Sequence, residues 1–300
     1  MPTTADSSPA NATTTAADSG PLAAVLAPAT TSAALHAVDL ATGAETGLHA
    51  DRPVVIASVV KILFALEFAR QADAGQLDPA DRVRVTAPDR LGGTGTAGCL
   101  DDVELSLRDL AAFMMTVSDN TAADLLCDRL GLANVRSLVA ELGLAGTLVT
   151  GSPRTVVEAM AEDLGGRLAE ASAEDLARTR AYRPGSTNTS TPRDVTSLLS
   201  AIWSDRAGSA AACAQTRALM SRQADWHRIA AGFDDDVLVS AKSGTLPGLR
   251  NEAAVVEFPD GSRYAVAVFT RLGTPYRRRP DVDAAIGRAA RLAIDELRGQ

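Results

Sequence analysis

Two residues stand out before any motif is sought. The chain has 29 basic side chains, and all but Lys61 and Lys242 are arginine. Arginine stays protonated at any accessible pH, whereas a buried lysine sheds its proton and becomes a base. Both lysines are therefore candidates for chemistry; the plainer alternative is biased residue usage with two chance survivors. Ser58 stands three residues before Lys61 in "ASVVKILF", a helical spacing that projects both side chains from one face. At a helix start Ser58 would have free backbone N–H groups and the positive end of the helix dipole beside it, which suits an oxyanion. Lys61, on an otherwise apolar helix, would be desolvated and made a better proton acceptor. The pair reads as nucleophile and base, although about one S-x-x-K arises by chance in a chain this long.

Two further clusters could join it. Ser118-Asp119-Asn120 lies in "VSDNTAADLL" at the junction of two predicted helices, where side chains can turn inward; taken alone, helix capping explains it. Lys242-Ser243-Gly244-Thr245 closes a predicted strand, and its glycine would let a ligand approach the sheet edge. An ordinary strand-to-turn transition would look the same.

The elements that must position these groups follow from periodicity. "SAALHAVDLATGAETGLHA" predicts a β-hairpin about Thr42-Gly43. "SVVKILFALEFARQADAG" is apolar nearly all round and predicts a buried helix ending at Gly75. The stretch from 76 to 205 predicts mostly helix, with Ser106 and Asp109 as a capping box, Leu107, Leu110, Met114 and Val117 as a stripe, and Thr191-Pro192 opening a further helix. After 235, "DVLVSAKSG", "RNEAAVVEF" and "RYAVAVFTR" predict three strands, and "DVDAAIGRAARLAIDELR" an amphipathic helix with Val282, Ile286, Ala289, Ala293 and Leu297 on one face. The expected fold is α/β: a five-stranded antiparallel sheet flanked by helices plus an all-helical lobe. The boundaries are a disordered tail at 1–30, a sheet domain from 31–75 and 206–300, and a helical domain at 76–205.

Composition excludes other classes. A net charge of −8 argues against nucleic acid, which needs a concentrated basic face. The run Arg277-Arg278-Arg279 reads as a solvated loop. No apolar stretch approaches the length of a membrane span. The Ala/Thr/Ser-rich start lacks the regions of a secretory signal, so the sequence as given reads as cytoplasmic, or secreted if a signal was trimmed. Cys99, Cys127 and Cys213 read as free, mostly buried thiols. His36, His49 and His227 lack ligand spacing, so no metal and no cofactor is expected.

S-x-x-K, then S-D-N, then K-[ST]-G, in this order, resembles the motif set of the class A β-lactamase branch of the penicillin-recognising serine hydrolases. The sixty residues from Ser58 to Ser118 match the separation in that branch. "HAVDLATGAE", "STP" at 190–192 and "PDGSRYAVAVFTR" extend the resemblance from about residue 30 to the C-terminus. The resemblance implies that Ser58 is acylated, that Lys61 is its base or proton relay, and that Ser118 passes a proton to the leaving group. Lys242 would hold the Ser118 hydroxyl, and the N–H groups of Ser58 and Thr245 would form the oxyanion hole. Asn120 would bind a substrate amide, while Ser243, Thr245 and Arg250 would hold a carboxylate of a small-molecule substrate. The turn before Arg250, "TLPGL", is one residue shorter than usual in class A enzymes.

One part of the pattern is missing. Class A enzymes carry a loop glutamate, followed four residues later by asparagine, that directs the deacylating water. No Glu-x-x-x-Asn occurs between 130 and 190, and the segment from Ser118 to Pro192 is about twenty residues longer than that branch needs. Glu158 and Glu162 are the first candidates to replace it. Three functions remain open: a hydrolase acting through an acyl-enzyme on a β-lactam or another small ester or amide, slow as a true β-lactamase; an acyltransferase, cyclase or thioesterase-like enzyme of small-molecule biosynthesis; and a non-catalytic β-lactam or peptide binder. The Ser/Lys/Ser/Lys set argues against the last, since a binder has no need of a neutralisable lysine.

Overall fold

A computed structural model describes residues 20–274 and 278–299. In chain order it contains α1 (Pro21–Leu26), β1 (Ser32–Asp39), β2 (Glu45–Leu48), β3 (Val54–Val55), a 3₁₀ turn at Ala57–Val60, α2 (Lys61–Asp73), β4 (Arg82–Val85), β5 (Val103–Ser106), α3 (Leu107–Thr116), α4 (Asn120–Leu130), α5 (Leu132–Glu141) and α6 (Pro153–Asp163). It continues with α7 (Ala173–Arg178), β6 (Thr189–Ser190), α8 (Pro192–Trp203), α9 (Ala210–Met220), β7 (Leu238–Leu246), β8 (Leu249–Glu257), β9 (Arg263–Arg271) and α10 (Pro280–Arg298).

The two chain ends build one five-stranded sheet in the order β2-β1-β9-β8-β7, antiparallel throughout. Alternation along each strand gives it two apolar faces. Leu35, Ala37, Ala254, Val256, Val266 and Val268 pack on Val282, Ile286, Ala289, Ala293 and Leu297, the predicted stripe of α10. Ala253, Val255, Ala265, Ala267 and Phe269 face the helices instead, against Leu198, Leu199 and Ile202 of α8. The cap of α8 forms as expected, with Thr191 accepting from the Asp194 N–H.

Three expectations about boundaries need correction. Residues 21–26, placed in the tail, form α1, which packs on α10 through Leu22 and Leu26. The segment 76–205, expected to be mostly helix, also holds a small antiparallel ladder that the domain outline did not include, Arg82–Val85 paired with Val103–Ser106. Finally, α2 and α9, assigned to the sheet domain, pack against each other, and both pack on α3. The reason is the composition of α2, whose residues from Lys61 to Ala69 are all buried; a helix without a polar face is stable only when surrounded. Arg277 lies outside the described residues.

Candidate active site

Ser58 is delivered by a bend. Ala57 before it has φ 49°, a left-handed conformation that costs a non-glycine residue free energy and is kept where surrounding contacts over-determine it. Those contacts are present. The Ile56 N–H donates to Asn188 O at 3.2 Å, and Asn251 Nδ2 donates to Val55 O at 2.9 Å. On the other flank Gly244 of β7 lies so close that an added Cβ would sit 2.6 Å from Ile56 O and 3.3 Å from Ser58 N. The glycine of the Lys-Ser-Gly run is thus a close approach of backbone to the nucleophile's turn.

Lys61, at the first position of α2, is completely buried. Its Nζ donates to Ser118 O at 2.7 Å, Asn120 Oδ1 at 2.8 Å, and Asp119 O and Ser118 Oγ at 3.3 Å each. Burial pushes its ammonium well below the ordinary lysine range, the charge of Lys242 pushes the same way, and Asp119 opposes both. Ser118 itself has φ 58°, so the chain turns sharply before α4 and aims both its hydroxyl and its carbonyl at Lys61. Asp119 is the structural member of this trio. Its carboxylate caps α4 through the Ala122 N–H at 3.0 Å and accepts from Thr96 N and Oγ1 at 2.7 and 2.8 Å. The capping explanation therefore holds for Asp119, while Ser118 and Asn120 face the lysine.

Lys242 is also fully buried, and its pKa falls to about 8, mainly through desolvation. Its Nζ donates to Ser243 O at 2.9 Å, whereas Ser118 Oγ is held by Lys61. The expected Lys242–Ser118 hydrogen bond is not formed; Lys242 acts on this site through its charge. Ser243 and Thr245 lie on the same edge strand. The Ser243 N–H turns outward to Gln223 Oε1, so with a period of two the Thr245 N–H points outward as well.

Arg250 departs further from expectation. It is buried and pairs with both Asp283 oxygens at 3.1 Å. The guanidinium that reaches Thr245 belongs to Arg228, which donates to Thr245 Oγ1 and Asn251 O at 2.7 Å each and to Asp283 Oδ1 at 2.9 Å. Sequence reasoning missed Arg228 because it lies in an irregular stretch, "ADWHRIAAG", with no motif around it. It also missed Glu252, paired in register with Ser243. Burial raises the Glu252 carboxyl to about 7, and its oxygens accept from Gln223 Nε2 at 2.9 Å and Ile229 N at 2.6 Å.

Ser58, Lys61, Asn120 and Thr245 line one open cleft of about 160 Å³ together with Asn188, Thr187 and Leu246. The wall opposite is α6, which contributes Pro153, Val156, Val157 and Met160. Neither Glu158 nor Glu162 lines the cleft. Both are exposed, and Glu162 pairs with Arg180 on the outer side. Among the described residues that line the cleft there is no aspartate or glutamate.

The fold agrees with that of known chains. Residues 21–297 match the model of the beta-lactamase enzyme family, and the chain belongs to that family, within the penicillin-recognising serine hydrolases. A beta-lactamase regulatory protein, BlaB, of Streptomyces cacaoi is 33% identical over 289 residues, covering 87% of this chain and 91% of its own. A beta-lactamase of Amycolatopsis lactamdurans is 29% identical over 273 residues, covering 88% and 80%. The crystal structure of a beta-lactamase from Sphaerobacter thermophilus superposes with a TM-score of 0.75 at 27% identity, covering 93% of this chain and 97% of that one. No helix among the described residues is long and apolar enough to cross a membrane.

Proposed function

We propose that the protein is a serine hydrolase that acylates Ser58 readily and releases the acyl group slowly, with a β-lactam or another small ester or amide as acyl donor. Neutral Lys61 takes the Ser58 proton as Oγ attacks the carbonyl carbon. The N–H groups of Ser58 and Thr245 receive the oxyanion. Lys61 then returns a proton to Ser118 as Ser118 gives its own to the leaving nitrogen or oxygen, and the carbonyl re-forms as that bond breaks. Lys242 supplies positive charge behind this transfer. Asn120 positions a substrate amide, and Thr245, whose hydroxyl accepts from the buried Arg228 rather than from Arg250, faces the far end of the donor.

The observation that carries the slow second step is the α6 wall. Deacylation needs a water that is held and deprotonated, and Pro153, Val156, Val157 and Met160 offer no base. Loss of a general base typically costs ~10²–10⁴-fold, enough to make deacylation rate-limiting. An accumulating acyl-enzyme also suits a receptor whose output is its acylated state, a second reading favoured by the 33% identical relative that is named a regulatory protein. The test is stopped-flow hydrolysis of a chromogenic cephalosporin with parallel intact-mass detection. A product burst equal to the enzyme concentration, a slow steady rate and an adduct absent from Ser58→Ala are expected. Fast turnover with no adduct would refute the slow step, and an adduct that persists in Ser58→Ala would refute the nucleophile.

A further inference from the structure

Two residues before Thr245, which lines the cleft, a β7 hydroxyl already holds an anion of the protein's own. Ser243 Oγ donates to Asp225 Oδ2 at 2.7 Å, on the hydroxyl that the family resemblance assigns to a substrate carboxylate. Asp225 is fixed there from both sides. Its carbonyl accepts from Gln223 Nε2 at 3.1 Å, and the same amide nitrogen donates to Glu252 at 2.9 Å while its oxygen takes the Ser243 N–H. Beyond Asp225, Trp226 Nε1 returns to Gln223 O at 2.8 Å, and Arg228 is anchored beneath β7 on Thr245 and Asn251. The segment 223–228 is stitched along the edge of β7, with the half-buried Asp225 carboxylate at its centre.

We propose that Asp225 is a specificity-determining residue: a built-in carboxylate that fills the Ser243 half of the anion subsite and directs the enzyme to acyl donors that are uncharged or cationic at that position. The inference rests on the acyl-enzyme reading above. Ser243 has one hydroxyl proton to donate, so a donor carboxylate must displace Asp225 or share that hydroxyl with it, and like charges at such a separation repel strongly. Asp283 takes up one of the two neighbouring arginine charges, so Asp225 opposes the remaining positive charge and that of Lys242, and an incoming carboxylate finds that charge already partly met. An ester, an amide N–H or an ammonium at the same place meets no such repulsion, and the last two meet an acceptor.

The experiment compares a penicillin with its methyl ester as acylators of Ser58, by mass detection, in the native protein and in Asp225→Asn and Asp225→Ser. The two compounds use the same nucleophile, base and oxyanion donors, so a merely structural role of Asp225 would change both rates alike. Removing the charge is expected to raise the carboxylate-to-ester rate ratio by about tenfold or more in each variant, as removal of a like-charge contact does. A ratio within about twofold of the native one in both variants, with the ester acylating Ser58 in all three proteins, would overturn the proposal. Failure of Ser58 to react with either compound or with a fluorophosphonate would instead remove the acyl-enzyme reading on which it rests.

Discussion

The two walls of the cleft are built on opposite principles. On the α2–α4 side, Lys61 is wholly buried yet surrounded by four oxygen acceptors, and two left-handed residues, Ala57 and Ser118, set the turns that carry the Ser58 and Ser118 hydroxyls. On the α6 side, four apolar or imino residues face the same space and offer no hydrogen-bonding side chain. Buried charge with imperfect compensation weakens a fold, so a wall that retains it does so for chemistry. The wall that lacks it packs more cheaply and leaves water unactivated. Under the proposed function, the contrast separates the two half-reactions of an acyl-enzyme: proton transfer out of Ser58 would be provided for, and proton transfer out of water would not.

The largest effect should come from the charged wall. Lys61→Ala removes base and charge together, while Lys61→Arg keeps a charge that cannot be given up at neutral pH. Both are expected to lower the acylation rate by ~10²–10⁴-fold, the usual worth of a general base. The rate of adduct formation measured by quenched mass spectrometry decides the matter. An arginine variant retaining more than about a tenth of the native rate would show that Lys61 acts through its charge alone.

The apolar wall yields the next effect, and in the opposite direction. Glutamate placed singly at Val156, Val157 or Met160 puts a carboxylate where the cleft now has none. At the position that best reaches the ester, the adduct lifetime should shorten by about ten- to a hundredfold, the lower part of the general-base range, with acylation changed far less. Should none of the three shorten the lifetime, water access rather than a missing base limits deacylation.

How far this contrast can be read in the sequence depends on which wall is considered. The lysine wall was legible because its residues lie in short, ordered motifs, and burial of Lys61 follows from the apolar residues on either side of it. The sheet was legible as well, since alternation and turn signals marked β1, β7, β8 and β9. What escaped was set by tertiary placement. Nothing local distinguishes Arg228 from the 26 other arginines; its role comes from an irregular segment crossing the end of β7. Arg250 looked like the carboxylate ligand by position after the Lys-Ser-Gly run, but α10 brings Asp283 against it. The absence of Glu-x-x-x-Asn was visible, whereas the orientation of α6, with Val156 and Val157 inward and Glu158 outward, follows from packing on Tyr182 and Leu249.

The pH profile of acylation gives a smaller effect that sharpens the account of the charged wall. Only neutral Lys61 accepts a proton, so the rate should rise with pH through its lowered pKa. Lys242 loses its charge above about 8, and with it the field that favours the developing oxyanion, so the rate should then fall. Each limb changes by at most about tenfold per pH unit for a single group. Lys242→Arg keeps its charge on the alkaline side and should abolish the fall above pH 8. A fall that persists unchanged in that variant would assign the alkaline limb to another group.

The smallest expected effect is the most exacting test of the contrast. Glu158 and Glu162 stand on the same helix as the apolar wall, one turn apart, and are the first candidates to replace the missing loop glutamate. Helix geometry separates them from the cleft: inward residues recur three to four positions apart, and Val156, Val157 and Met160 occupy those positions here. Glu158 is exposed, and Glu162 spends its carboxylate on Arg180 at the surface. Exposed ion pairs contribute little to stability, and side chains of this kind tolerate replacement. Glu158→Gln, Glu162→Gln and the double variant should therefore leave both the burst amplitude and the adduct lifetime within about twofold of the native values, the margin expected for surface changes. A longer adduct lifetime in any of them, at unchanged acylation, would mean that α6 turns or shifts in the acyl-enzyme to bring a glutamate to the ester. The two walls would then differ only before acylation.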